Sequence, residues 1–493
     1  MYRDLMCRPA EEILVFEPFV VYNNTMEKNQ QRAIIMVVVI TAFITTFTGS
    51  ALNLSVPDIG QQFGVSAGSV GWLITGYTLS VAAFSVPLGR LADMTCRKTV
   101  LVVGIIVFVI CCGAAAFSTS MAMLLASRIV QGIGASMIFS TNTAILVDAF
   151  PGDQRGRVLG YSLASTYVGL SAGPVVGGLL NHNLGWQSIF VLTGTLGAVA
   201  FFTALLKLPR ERRVAGLAGD KQDGDGMKIR KGGRADLAGN IIYVAFIVLM
   251  MYGLSETGSG AVPVLLTVAG VILGVVFVVH ELNASSPIVD VRLFRENKGY
   301  GFSNLAAMLN YGATFAISYL VSIYLQVVMD YSSQTAGFIM IFQPAIMAAL
   351  SPVMGRFSDR FSPFKMSSAG MAFCAAGTFI FIFLSEETHL ALVITALVIT
   401  GVGFSLFSSP NTNAVMSCVD RAEYGVASSV LATMRSIGHT LSMVIVTVTV
   451  SALAGEMALA AAPAETLIKV IRISFIIFTG ICAGGVFVSL KRK

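Results

Sequence analysis

Fourteen apolar runs, each close to the length of a membrane crossing, constrain this chain more than any other feature of it. A hydrocarbon core of about 30 Å needs roughly 20 apolar residues per helix. The runs are 34–56, 68–88, 99–117, 121–147, 159–180, 188–208, 236–254, 262–280, 301–325, 335–354, 366–384, 389–410, 426–452 and 470–489. The seventh and eighth are short. A backbone in lipid must satisfy its own hydrogen bonds, so such runs fold as helices. Composition agrees: 55% of the 493 residues are hydrophobic and only 12% are charged. Soluble domains carry about 25% charged residues, so a soluble particle is excluded. The expected fold class is an all-α polytopic membrane protein of 14 transmembrane helices.

The loops test the count. Lys and Arg concentrate on the cytoplasmic side of a membrane protein. Loops 57–67, 118–120, 181–187, 255–261, 326–334 and 385–388 contain neither. The alternate loops hold Arg90, Arg97 and Lys98; Arg155 and Arg157; a cluster from Arg210 to Arg234; Arg292, Arg295 and Lys298; Arg356, Arg360 and Lys365; and Arg421. Lys469 is the one exception, and Lys491, Arg492 and Lys493 end the chain. The alternation places both termini in the cytoplasm. The net charge of +6 therefore reads as topology, not as nucleic-acid binding.

The layout follows. Residues 1–33 form a cytoplasmic tail without a signal-peptide pattern, and Met26 is a candidate alternative start, which would leave 1–25 untranslated. Six spans (34–208) precede a polar Arg-, Lys-, Gly- and Asp-rich linker at 209–235. Two spans (236–280) and a loop (281–300) follow, then six more spans (301–489) and a tail (490–493). The expected architecture is two six-helix bundles with an inserted hairpin. The seven cysteines contain no CxxC and read as small buried hydrophobes. The four histidines are scattered without metal-ligand spacing, and no phosphate-binding GxxxxGK[ST] occurs. No cofactor, metal or ATP drive is expected.

The two halves repeat. Residues 66–93 align with 332–359 without gaps, matching Gly89 to Gly355, Arg90 to Arg356 and Asp93 to Asp359. Each segment is a span running into a basic loop, so the repeat is parallel. Residues 89–98 read GRLADMTCRK; residues 124–136 read LLASRIVQGIGAS; residues 169–178 read GLSAGPVVGG. These resemble, in order, the loop 2–3 signature of the major facilitator superfamily, the span 4 signature of its exporters and the span 5 signature of its antiporters. NLSVP at 53–57, Trp72 to Tyr77, PGDQRGRVLG at 151–160, SPIVDVRLF at 286–294 and VLATMRSIG at 430–438 are similar too. With fourteen spans, the resemblance over about 34–452 is to the 14-span drug:proton antiporter family.

The resemblance implies roles. Gly89, Asp93, Arg97 and Lys98, with Gly355, Asp359 and Arg360 in the repeat, would form a cytoplasmic gate, although Met94 and Cys96 depart from the usual Arg and Gly. Gly169, Gly173 and Gly177, four apart, with Pro174 and Gly178, would pack and kink span 5. Arg128 lies about 10 Å inside its run at 1.5 Å per residue. A charge there costs at least about 2.5 kcal/mol on insertion scales, so it should face protein or a watery cavity. The family's first span usually carries an Asp implicated in coupling, and here Thr48 stands in its place. Thr cannot titrate, so Arg128 loses its obvious partner. In the second half, Arg435 sits inside span 13 with His439 one turn on, and His439 is a possible proton carrier. Asn53, Gln131, Asn142, Asn310, Tyr324 and Gln343 are candidates to line a polar cavity.

The expected function is a secondary exporter of small amphipathic compounds, multidrug type, working by alternating access with proton antiport in the plasma membrane, as a monomer. The alternative is export of a metabolite or organic anion with altered or no proton coupling. A membrane enzyme or sensor is the remote reading, since no cluster of interior catalytic groups and no extra soluble domain are present.

Overall fold

The computed structural model describes residues 28–52, 55–65, 67–208, 236–255, 261–284, 287–289, 291–420, 423–454 and 463–491. The tail ahead of Lys28, the 209–235 linker, Asn53 and Arg421 lie outside them. Among the described residues every regular element is helical. The first half contains α1 (Lys28–Leu52), α2 (Val56–Phe63), α3 (Ala67–Met94), α4 (Arg97–Ala116), α5 (Met121–Ala149), α6 (Gly152–Ala172), α7 (Gly178–Leu184) and α8 (Gln187–Lys207). The hairpin is α9 (Leu237–Ser255) and α10 (Ala261–Asn283), followed by the short α11 (Val291–Glu296). The second half contains α12 (Lys298–Thr314), α13 (Ile317–Ile323), α14 (Ser333–Met340), α15 (Phe342–Ser358), α16 (Pro363–Phe381), α17 (Leu390–Met416), α18 (Tyr424–Ala454) and α19 (Ala464–Leu490).

Thirteen of these stretches are long and apolar enough to cross a membrane, counting Lys298–Val328 and Thr335–Ser358 as one each. The fifth crossing is a bent pair, Gly152–Ala172 and Val175–Leu184, at 43° to each other, which brings the total to fourteen. The bend has a chemical cause. Pro174 has no N–H, so the Leu170 carbonyl loses its helical donor. A π-helical turn, Gly173–Gly177, forms there. The Ser50 hydroxyl of α1 donates to the Leu170 carbonyl at 2.8 Å and takes over the missing bond.

The same face explains the glycine spacing. A Cβ at Gly169 would meet the Phe43 carbonyl at 2.8 Å, and one at Gly177 would meet the Ala51 backbone at 2.8 Å. Small residues let the α1 and α6 backbones touch, which is how helices gain packing in lipid. Gly173 faces Ser50 in the same row, whereas Gly178 is only half-buried.

The helices form two six-helix bundles. In the first, α1 packs on α6 and α8, and α4 and α3 pack on α5. In the second, α16 packs on α17 and α19, α15 on α17, and α12 on α18 and α19. The bundles meet along two seams, α3 against α18 and α6 against α15, with α5 also touching α18. The hairpin lies on the first seam. The Tyr243 hydroxyl of α9 is 2.8 Å from Thr433 Oγ1 of α18, and the Tyr252 ring of α9 sits 5.2 Å from Trp72 of α3.

Candidate functional site

Two arginines lie inside the helical bundles, one in each half. Arg128, on α5, is 0% exposed. Its Nε donates to the Leu73 carbonyl of α3 at 3.1 Å, and one terminal nitrogen donates to Gln131 Oε1 at 2.5 Å. Gln131 Nε2 in turn donates to the Cys112 sulfur of α4 at 3.0 Å. The guanidinium lies over the Tyr77 ring at 4.3 Å and near Phe190 at 5.9 Å. Its other terminal nitrogen has no partner. No carboxylate pairs with Arg128 among the described residues. Interior charges pair with one another or with backbone carbonyls; here Arg128 finds a backbone carbonyl, the Gln131 amide oxygen and an aromatic face.

Thr48 is fully buried and spends its hydroxyl on its own helix, donating to the Ile44 carbonyl at 2.6 Å. Asn142 also stays away from Arg128: its Nδ2 donates to Thr41 Oγ1 of α1 at 3.0 Å. Of the remaining amide and hydroxyl candidates, Tyr324 donates to the Ser385 carbonyl at 2.7 Å. Gln343 is buried, and Asn310 is buried with neither amide atom partnered.

The second arginine is the head of an aromatic row. Arg435 donates to Thr412 Oγ1 of α17 at 2.7 Å, and its Nε has no partner. It lies 5.5 Å from the Tyr311 ring of α12. Tyr311 meets Phe404 edge-on at 5.0 Å and His439 at 5.2 Å. His439 stacks on Phe315 at 4.1 Å and 22°, and Phe315 is 45% exposed. Across the bundle boundary, Tyr167 of α6 meets Phe404 at 6.0 Å. The i, i+4 spacing of Arg435 and His439 thus does bring both onto one ring, Tyr311. Such a row offers flat π surfaces beside a cation with unused donor capacity.

The repeated Gly-Arg-x-x-Asp segments end at the two seams. Asp93 accepts from the Gly425 and Val426 amides of α18 at 3.0 and 2.8 Å. These are early N–H groups of α18, which have no partner within the helix, and a carboxylate there also faces the positive end of the helix dipole. Arg97 donates to Asp93 at 2.8 Å and lies 3.8 Å from Asp148. The Tyr424 ring lies 5.7 Å from both Arg97 and Arg155. In the repeat, Asp359 accepts from the Gly156 and Arg157 amides of α6 at 2.5 and 2.9 Å. Burial pushes the Asp359 carboxyl above its ordinary pKa, while those two N–H groups pull it back. The matched glycines bring the backbones together: a Cβ on Gly89 would sit 2.7 Å from the Gly425 carbonyl, and one on Gly355 would press on Gly156.

Two residues grouped with these seams by sequence sit elsewhere. Lys98 donates to the Leu208 carbonyl at 2.5 Å, at the end of α8 in its own bundle. Arg360 is exposed and lacks an ion pair among the described residues. Gly425, Gly156, Tyr424 and the aromatic row are partners that sequence reading did not single out.

A further cluster was not expected. Asp236, His280 and Glu281 lie within 4.8 Å of one another at the base of the hairpin. Asp236 accepts from the Gly239 amide at 2.8 Å and lies 2.8 Å from His280 Nε2. Glu281 accepts from the Val289 amide at 3.1 Å. Asp236 and Glu281 therefore each hold an adjoining backbone segment, and His280 joins α10 to the start of α9.

Comparison with known proteins places these features. A family model described as Major Facilitator Superfamily matches residues 38–443. The riboflavin transporter RibZ of Clostridioides difficile is 27% identical over 84% of this chain and 86% of its own. The multidrug resistance protein Stp of Mycobacterium tuberculosis is 27% identical over 80% and 71%. The cephamycin export protein CmcT of Amycolatopsis lactamdurans is 28% identical over 84% of each. In fold, the chain is similar to the human organic anion transporter MFSD10, with a TM-score of 0.65 and 14% identity over 94% of this chain and all of that one.

Proposed function

The chain belongs to the Major Facilitator Superfamily, and from that premise we propose that it exports small aromatic compounds, neutral or anionic, across the plasma membrane by alternating access. The positive-inside rule puts the basic loops, and both termini, in the cytoplasm. The Asp93–α18 and Asp359–α6 contacts then close the cytoplasmic side, and their release would admit cargo from within. The relatives are named for substances as different as riboflavin, drugs and cephamycin. Family membership therefore leaves the cargo open, and the site has to decide it.

The observation that carries the reading is Arg435: a cation beside the Tyr311 ring at the head of an aromatic row, with its Nε unpartnered and no carboxylate paired to it among the described residues. A cationic drug entering beside the row would meet a like charge at Arg435, whereas a carboxylate, sulfonate or carbonyl-rich ring would be attracted. The test is efflux from proteoliposomes of a matched pair, an aromatic carboxylate and its amine analogue. Preference for the carboxylate supports the reading; preference for the amine overturns it.

Proton antiport of amphipathic drugs is the second reading, favoured by the likeness to a relative named for multidrug resistance. Collapsing the proton gradient separates the two: transport indifferent to it removes the antiport reading. Thr48→Asp restores the carboxylate at the family's usual position. We expect proton dependence to appear or strengthen in that variant; no change would show that coupling does not reside at that position.

Arg128→Ala is expected to cut transport at least tenfold with assembly intact, because a charge-assisted hydrogen bond contributes about 1.5–3 kcal/mol. The fork to Leu73 and Gln131 matches a guanidinium and not the compact ammonium of Lys. Full transport in the variant would assign Arg128 a purely structural role.

A further inference from the structure

The two seams are not equally covered. The α3–α18 seam lies under α9, whose Tyr243 and Tyr252 bond and stack onto it. Two surface depressions share Tyr161 of α6, one on the α6–α15 seam and one beside it on the first bundle. One is a groove of about 690 Å³ walled by α1, α6 and α8, with Ile35, Val39, Phe43, Ala164 and Val168 in its lining. The other is a pocket of about 410 Å³ at the basic-loop end, lined by Arg157, Arg356, Arg360 and Phe357.

The chemistry of the two differs as a lipid's two ends differ. The groove is apolar and lies on helices at bilayer depth, where the surrounding solvent is acyl chain. In the pocket, Arg157 donates to the Tyr161 hydroxyl at 2.9 Å. The Arg356 and Arg360 side chains are exposed and have no ion pair among the described residues. Two carboxylates lie in the neighbourhood: Asp359, already bonded to the α6 amides, and Asp153, which acts on it electrostatically. Three guanidiniums against two carboxylates leave a positive surplus.

We propose that groove and pocket together bind one phospholipid with an anionic headgroup. The phosphate sits on Arg356 and Arg360, where the planar guanidinium fork matches its oxygens. An acyl chain follows α6 past Tyr161 into the groove. Basic pockets between helices on the cytoplasmic side are the usual setting for such headgroups. The pocket takes Arg157 and Tyr161 from one bundle and Arg356, Phe357 and Arg360 from the other. It is therefore complete only while the α6–α15 seam is closed. A lipid that binds the closed state better shifts the equilibrium toward it.

The test is native mass spectrometry of the full chain released from mixed phosphatidylglycerol and phosphatidylcholine nanodiscs, with thermal melting to confirm folding. Wild type is expected to retain phosphatidylglycerol about tenfold over phosphatidylcholine. Arg356→Gln/Arg360→Gln should lose the preference by removing the headgroup contacts. Val168→Trp should lose it too, because it keeps every arginine but fills the groove. Loss in both variants supports the site. Loss in the arginine variant alone would mean that the headgroup binds without the groove, which overturns the single site spanning both. Loss in the Val168 variant alone, or no preference in wild type, overturns headgroup selection.

Discussion

Replacing Arg435 by Gln is expected to reduce transport of an anionic aromatic cargo by roughly ten- to hundredfold while leaving the fold intact. The figure is the about 1.5–3 kcal/mol net worth of a hydrogen bond to a charged group. Arg435 is bound within the protein by one hydrogen bond, to Thr412 at 2.7 Å, and by the Tyr311 face. Gln can still reach a hydroxyl, so the helix contact should survive and melting should shift by little. The loss should fall on binding, because the cation contacts cargo before any conformational step. A neutral aromatic cargo should suffer much less, since stacking on Tyr311, Phe315, Phe404 and His439 remains. Equal losses for anionic and neutral cargo would show that Arg435 holds the site together and does not read charge.

The second large effect is expected at the seams. Asp93→Asn slows turnover more than it weakens binding, and Asp93→Asn/Asp359→Asn together should abolish turnover and leave the protein open toward the basic-loop side. Each carboxylate accepts two amide bonds from the opposite bundle. An amide side chain keeps one acceptor and, at Asp93, loses the charge that faces the start of α18. A loss of about 1–3 kcal/mol per seam moves the closed population roughly five- to hundredfold. Site-directed spin labels at the basic-loop ends of α6 and α15 would read the separation. An unchanged distance distribution and an unchanged turnover rate would remove the gate role.

How much of this was legible in the sequence follows from where the free energy lies. The crossings were readable because lipid demands long apolar runs, and even the bent fifth crossing announced itself through Pro174 and its glycines. The Gly-Arg-x-x-Asp repeat located both capping aspartates, because a short polar motif at a helix exit stands out in an apolar chain. Their partners did not stand out. Gly425 and Gly156 contribute only backbone N–H groups, and an amide donor leaves no mark on residue identity. Tyr424 reads as an ordinary interfacial aromatic until Arg97 and Arg155 are both seen 5.7 Å from its ring.

The candidate site divides in the same way. Arg128 and Arg435 were conspicuous because interior charge is costly in lipid. The row that accompanies Arg435 was hidden, since Tyr167, Tyr311, Phe315 and Phe404 come from three helices and each looks like core alone. The hairpin cluster was hidden by distance along the chain, with Asp236 and His280 paired across a whole crossing and its return. Lys98 shows the opposite error: a basic pair at a loop reads as one unit, yet Arg97 turns to Asp93 while Lys98 turns to the end of α8.

The central claim is that an uncompensated interior cation, Arg435, beside an aromatic row selects neutral or anionic cargo. Equilibrium binding of a matched aromatic carboxylate and amine to the wild-type protein in nanodiscs measures it most directly. The account predicts that the carboxylate binds at least tenfold tighter and that Arg435→Gln erases the difference. Tighter binding of the amine, or a preference for the carboxylate that persists in Arg435→Gln, would contradict it.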